Sequence, residues 1–331
     1  MKWIGRVVLS LLALIVLIVA VGVALLWRPD IPYATLETRY ATPTSHFIDL
    51  PDGVRAHYRD DGKADAPVVL LVHGFGDSFL SWTPWIDVLS KDFRVITVDV
   101  PGHGLTRAPA DYVPSADAQV RFIDEFAAAT HLPPFAIAGN SMGGGIAWRT
   151  TLAHPERVRA LILIDAAGFA NEHAKPPPLA FQLLGTPAGR WALEHLETRP
   201  LTKASLQASL LNDPLVTDAF VNRWVEVQRA PGHRHILMTT LGVAGGPANP
   251  ADLAHIHVPT LVLWGERDPL IEVAAAHKFA DAISGAQLIT YADVGHMPQL
   301  EVPERSANDA DAFLKHALAA NTVETHSASA R

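Results

Sequence analysis

The segment that most restricts the fold of this chain is FAIAGNSMGGGIAW, residues 135–148, where one serine stands among closely spaced glycines directly after an apolar run. Gly139, Ser141 and Gly143 form G-x-S-x-G, and Gly144 and Gly145 lengthen the stretch of small residues. FAIAG reads as the end of a buried strand and IAWRTTLAH as a helix, so the chain is expected to turn sharply from strand to helix at the serine. Such a turn needs glycine, both for strained main-chain angles and for close approach of strand to helix. It would leave the Ser141 hydroxyl exposed at the apex beside a helix N-terminus, where amide groups favour negative charge. A serine at its free pKa is a weak nucleophile, so chemistry here requires a base and an orienting acid from elsewhere in the chain.

Later strand ends offer both. ADVGHMPQLEVPE places His296 on a loop after the last strand, and LVLWGERDPL places Asp268 after the strand before it, at the same edge. Asp165, at the end of LILID, is a second position from which an acid could act. LLVHGFGDSFLSW supplies another glycine-rich turn after a strand. From it the amide of Phe75 would join that of Met142 in facing a developing oxyanion. His73 is read as support for that loop, Gly74 and Asn140 as part of the substrate-binding wall, and DVPGHG at 99–104 as scaffold near the pocket floor.

The remaining pattern is a hairpin (HFIDL, PDG, VRAHYRD) followed by short strands apolar on both faces and separated by helical stretches. Among those stretches are Ala116–Ala129, Ile146–Ala153, Val273–Ile283 and Pro303–Leu318. That alternation predicts an α/β fold with a mostly parallel central sheet and helices on both faces. About ninety residues interrupt the rhythm after Gly168, too long for a structureless loop in a compact domain. They open near Pro176-Pro177-Pro178 and hold apolar stretches at Leu179–Leu184, Trp191–Leu196, Leu206–Leu211 and Phe220–Val227, which read as a helical cap over the strand C-termini. The expected division is therefore a first core segment at 44–169, a cap at 170–256 and a second core segment at 257–319.

Before the core, Val7–Trp27 is a 21-residue run broken only by Ser10 and Gly22, long enough as a helix to cross a bilayer core of about 30 Å. Residues 1–28 are read as an uncleaved membrane anchor. Lys2 and Arg6 precede the run while Arg28 is offset by Asp30, which favours a cytoplasmic N-terminus and a catalytic body on the outer side. Residues 29–43 read as a linker and 320–331 as a disordered tail of small and polar residues. The net charge of −8, with no basic cluster interleaved with aromatics, argues against nucleic acid as a partner. With no cysteine, thiol catalysis, disulfides and Cys-ligated zinc are excluded. Nothing gathers His and carboxylate at a metal spacing, so neither a metal nor an organic cofactor is expected.

Taken together, HGFGD (73–77), DVPGHG (99–104), GNSMGG (139–144), WGERD (264–268) and GHMPQLEVPE (295–304) resemble the α/β-hydrolase superfamily with a cap, over about His46 to Leu318. The order Ser141, Asp268, His296 is the order in which that superfamily places nucleophile, acid and base. Within it, the N-terminal span and the loop motifs are similar to membrane-anchored lipases and monoacylglycerol-lipase-like esterases. That resemblance implies a serine hydrolase acting on a small acyl ester, with Ser141, Asp268 and His296 as its triad and membrane lipid as a contact of the N-terminal helix. GNSMGG, with Asn140, also resembles carbon-carbon bond hydrolases of meta-ring-fission products. The chain departs from those at Gly74-Phe75-Gly76, where they carry Gly-Pro-Gly, and at Met297, where an aromatic residue is common. A binding module of the same fold without catalysis is the third reading.

Overall fold

Strands without a polar face must be covered on both sides, and this requirement organises the molecule. The computed structural model describes residues 2–172, 178–211, 214–240 and 246–328. The strands are β1 (Ser45–Asp49), β2 (Arg55–Asp61), β3 (Val68–Val72), β4 (Arg94–Val98), β5 (Phe135–Asn140), β6 (Val158–Ile164), β7 (Thr260–Gly265) and β8 (Gln287–Tyr291). They lie in one sheet in the order β1-β2-β4-β3-β5-β6-β7-β8. The β1–β2 hairpin and the β2–β4 pair are antiparallel, and each remaining pair is parallel. β3 shows how burial on both faces works: Val68, Leu70 and Val72 enter one core, and Val69 and Leu71 enter the other.

The first core is closed by α4 (Ala116–Ala129), α5 (Met142–Ala153) and α12 (Ala274–Ala282), through Phe122, Phe126, Ile146 and Phe279. α4 has the boundaries expected from sequence, and its N-cap Ser115 accepts a hydrogen bond from the Ala118 amide, satisfying one of the orphan donors of the first turn. The second core is closed by α3 (Thr83–Leu89) and α14 (Pro303–Ala328), through Trp85, Leu89, Phe313 and Leu314. α14 extends past residue 319 to Ala328, where the composition reads as a disordered tail; the last three residues lie outside the described ones.

Between β6 and β7 lie α6 (Leu179–Leu184), α7 (Pro187–His195), α8 (Arg199–Ser209), α9 (Asp218–Gln228), α10 (His233–Thr240) and α11 (Pro250–Leu253). Pro176 and Pro177, read as the opening of the cap, lie outside the described residues. Leu206, Leu210, Phe220, Val221 and Trp224 form a core of the cap's own. Met297 and Leu300, at the edges of α13 (Pro298–Glu301), complete it from below.

The N-terminal helix α1 (Lys2–Leu26) contains a span, Trp3–Leu26, of which no part is buried against the protein. Residues 29–43 are not the plain linker expected from their composition, because they contain α2 (Tyr33–Tyr40). Its Leu36 is wholly buried against Phe79, Leu105 and Ala230. Glu37 pairs with Arg107, and Arg39 with Glu226 of the cap at 2.6 Å. The junction between α1 and α2 is joined to the cap by main chain as well. The Arg28 amide donates to the His195 carbonyl at 2.9 Å and the Glu197 amide to that of Leu26 at 2.8 Å. The Trp27 ring packs on Trp191 and His195.

Candidate active site

The turn at Ser141 has the strain that its glycines forecast. Ser141 sits at φ 55°, ψ −117° at the head of α5, a main-chain region that non-glycine residues occupy at a cost of about 1–3 kcal/mol. It is held there by three main-chain hydrogen bonds. Its amide donates to the Ile164 carbonyl at 2.9 Å, and its carbonyl accepts from Gly145 at 3.0 Å and Ala167 at 2.9 Å. Close approach accounts for the flanking glycines. A Cβ on Gly139 would stand 2.2 Å from the Gly143 carbonyl, and one on Gly143 would stand 2.1 Å from the Val72 carbonyl. The amide of Met142 is the first of α5, one of the group that helix geometry leaves without an intrahelical partner.

His296 is fixed from several sides. Its Nδ1–H donates to Asp268 Oδ2 at 2.6 Å, which leaves Nε2 as the ring nitrogen able to take a proton. Asp268 Oδ1 accepts from the amides of Leu270 at 2.7 Å and Ile271 at 3.1 Å. Three successive amides of the histidine loop are also committed: Gly295 and Met297 donate to the Glu301 carboxylate at 2.8 and 3.0 Å, and His296 to the Ser209 carbonyl of the cap at 2.9 Å. Asn140 Nδ2 donates both to the Ile164 carbonyl at 3.2 Å and to the His296 carbonyl at 3.1 Å. This buried amide therefore ties the serine turn to the histidine loop, a positioning role beyond the substrate-wall reading of Asn140.

Gly74, Phe75, Asn140, Ser141, Met142 and His296 line one cavity of about 380 Å³, and Asp268 lies behind His296. A Cβ on Gly74 would stand 3.3 Å from Ser141 Cβ, so the loop after β3 passes directly beside the serine. His73 braces that loop: Nδ1 donates to the Gly74 carbonyl at 2.8 Å and Nε2 accepts from the Val100 amide at 3.2 Å. Residues 99–104 do not line this cavity; Asp99 instead accepts from His57 and from the amides of Phe79 and Leu105. The cap roofs the cavity with Phe181, Leu184, Leu193, Leu206, Trp224 and Leu237. Trp224 also packs in the cap core, whereas Trp191 is 45% exposed on the cap's outer side.

Sequence reasoning missed the cap's direct hold on the site. Gln228 Nε2 donates to the Gly76 carbonyl at 2.8 Å, and the Ser209 bond to His296 is its counterpart on the other loop. Asp77, the last residue of HGFGD, lines the cavity with its carboxyl buried, and burial pushes that carboxyl up to about 6. Its stabilising contribution is therefore complete at low pH and is lost as pH rises from the ordinary carboxylate range through about 6. Asp77→Asn is expected to match the parent below pH 4 and to be more stable above pH 7 by up to about 3 kcal/mol. Unfolding midpoints measured across that pH range check this, and parallel curves for the two proteins would refute it.

Among the described residues, Asp165, Asp268 and His296 also form a group spaced closely enough to suggest metal ligands. The 2.6 Å bond from His296 Nδ1–H to Asp268 Oδ2 already joins two of the three, and a cation there would have to displace that proton.

Comparisons with known proteins fall in the same region of chemistry. The family model described as alpha/beta hydrolase fold matches residues 67–303. The chain is 30% identical over 282 residues to 2-hydroxymuconate semialdehyde hydrolase of Pseudomonas sp. (strain CF600), covering 81% of this chain and 93% of that one. It is 26% identical over 284 residues to monoacylglycerol lipase abhd6-B of Xenopus laevis, covering 81% and 82%. Among solved structures, a bacterial membrane phospholipase A superposes with a TM-score of 0.72 at 25% identity, covering 95% of this chain and 99% of that one. With a strand order, a strained serine turn and a family match over most of its length all in agreement, the chain belongs to the alpha/beta hydrolase fold family.

Proposed function

We propose that this hydrolase is a membrane-anchored serine esterase that cleaves lipid-like or short-to-medium acyl esters of monoacylglycerol type through an acyl-enzyme. The observation that supports the reading is the cavity, which Ser141 and His296 both line together with aliphatic and aromatic side chains of the cap. A pocket lined in this way suits an acyl chain. Neutral His296 takes the proton of Ser141 as its oxygen attacks the ester carbonyl, and Asp268 fixes the imidazole tautomer and stabilises the imidazolium. The amides of Phe75 and Met142 receive the oxyanion, each such donor being worth about a hundred- to a thousandfold in rate. His296 returns the proton to the leaving alcohol, then activates water to release the acid.

The N-terminal helix supports a lipid substrate. α1 is apolar, is unburied, and is joined through Trp27 and Arg28 to the cap segment around His195–Glu197. In that arrangement the cap lies at the lipid surface, with Trp27 and Trp191 in the interfacial zone that tryptophan favours. Lys2 and Arg6 before the span support an N-terminus in the cytoplasm and a catalytic body outside.

The similarity to 2-hydroxymuconate semialdehyde hydrolase favours a second reading, in which the same serine and histidine cleave a carbon-carbon bond of a ring-fission product. Initial rates on p-nitrophenyl esters of graded chain length, a monoacylglycerol and a ring-fission dienoate separate the two. Ester turnover that rises with chain length to an optimum supports the first reading; turnover of the dienoate alone supports the second. Met238 lines the cavity from α10, so Met238→Trp is expected to cut kcat/KM by about tenfold on the longest good ester while sparing the shortest. An equal effect on both would mean that the acyl chain lies elsewhere.

A further inference from the structure

The acid beside His296 has a neighbour. Asp165 directly follows β6 and Asp268 follows β7, and because those strands are adjacent and parallel, both acids arrive at the same end of the sheet. Asp165 is wholly buried and sits at φ 44°, a left-handed conformation uncommon outside glycine that aspartate tolerates better than most residues. Its Oδ1 accepts from the Gly265 amide at 3.0 Å, while its Oδ2 is sealed from solvent and meets no donor among the described residues. One oxygen of Asp165, one of Asp268 and one ring nitrogen of His296 lie within 4.8 Å of one another.

Two adjacent buried carboxyl groups do not both ionise. The hydrogen bonds decide which keeps its proton. Asp268 accepts three, from Leu270, Ile271 and His296, all of which favour its charged form, whereas Asp165 accepts one. Burial and the charge of Asp268 raise the Asp165 carboxyl well above the ordinary range; the Glu301 carboxylate adds to this, and the Gly265 amide opposes it.

We propose that Asp165 is a positioning residue that holds its proton at working pH and donates it from Oδ2 to the Asp268 carboxylate, so that His296 faces a carboxyl–carboxylate pair. No bond to substrate is involved. The proton stays on Asp165 and draws charge from Asp268, which tempers how strongly Asp268 stabilises the imidazolium. The consequence rests on the reading of Ser141, Asp268 and His296 given above, but the protonation state of Asp165 does not.

Two measurements keep these apart. In the infrared difference between the full chain and Asp165→Asn at pH 7, the parent is expected to show the carbonyl band of a neutral carboxylic acid. Its absence overturns the proposal whether or not any substrate is turned over. The second measurement is the pH profile of kcat/KM on the best ester. Asp165→Ala removes the donor and is expected to move the acidic limb up by about half to one pH unit, while Asp165→Asn keeps a donor at the same place and leaves the limb where it was. A merely structural aspartate would lower activity at every pH without moving the limb, and that result overturns the proposal. Where Asp165→Ala does not fold, the infrared band and the stability of Asp165→Asn decide. The parent is expected to lose stability relative to Asp165→Asn as pH rises above the ordinary carboxylate range, because keeping the proton costs more at each step; parallel curves would contradict it.

Discussion

Ser141→Ala is expected to lower ester hydrolysis by at least about ten-thousandfold while leaving the fold and its unfolding midpoint nearly unchanged. The loss is large because the serine supplies the atom that becomes bonded to the acyl group, and an alanine methyl cannot replace it. Stability is spared because alanine inherits the same strained backbone at φ 55°, and the Ile164, Gly145 and Ala167 bonds that enforce it are all main-chain. Steady-state rates with thermal unfolding check both halves. Residual activity within about a hundredfold of the parent would remove Ser141 from the reaction.

The opposite pattern is expected two residues away. Gly143→Ala would drive a Cβ to 2.1 Å from the Val72 carbonyl and 2.6 Å from that of His73, and Gly139→Ala to 2.2 Å from the carbonyl of Gly143. All three carbonyls, in β3, just after it and in α5, are backbone and cannot rotate away, so each variant is expected to lose more than about 3 kcal/mol or to fail to accumulate as folded protein. Gly145 is the internal control. Its nearest obstacles are the Arg149 Nη1 at 3.1 Å and the Ala167 carbonyl at 3.2 Å. Gly145→Ala should stay within about 1 kcal/mol of the parent, since the gain in helix propensity offsets a tight contact. Chemical denaturation of the three variants tests the ranking, and a Gly143→Ala protein as stable as Gly145→Ala would refute it.

How much of this was legible in the sequence depended on range. Local features were: β-hairpin chemistry at PDG, the bounds of α4, and the strand–serine–helix turn all follow from periodicity and glycine placement. The chain order of Ser141, Asp268 and His296 was legible too, because each follows a recognisable strand. What the sequence hid were contacts between distant segments. Residues 29–43 look like a linker because their polar face dominates, yet one residue, Leu36, finds a pocket made by Phe79, Leu105 and Ala230. Asn140 looked like part of the substrate wall, and only the fold brings the His296 carbonyl within 3.1 Å of its amide. Asp165 and Asp268 looked like alternatives for one role. They are neighbours because β6 and β7 are paired in parallel, a fact of strand order that no local pattern carries.

Acyl transfer through Ser141 is tested by a rapid acid quench of the full chain turning over a p-nitrophenyl ester, followed by mass spectrometry of the peptide that contains residue 141. An acyl increment on Ser141 is expected to appear with the first release of nitrophenol and to be absent in Ser141→Ala. Steady hydrolysis with no increment on that peptide, or with the increment on another residue, would contradict it.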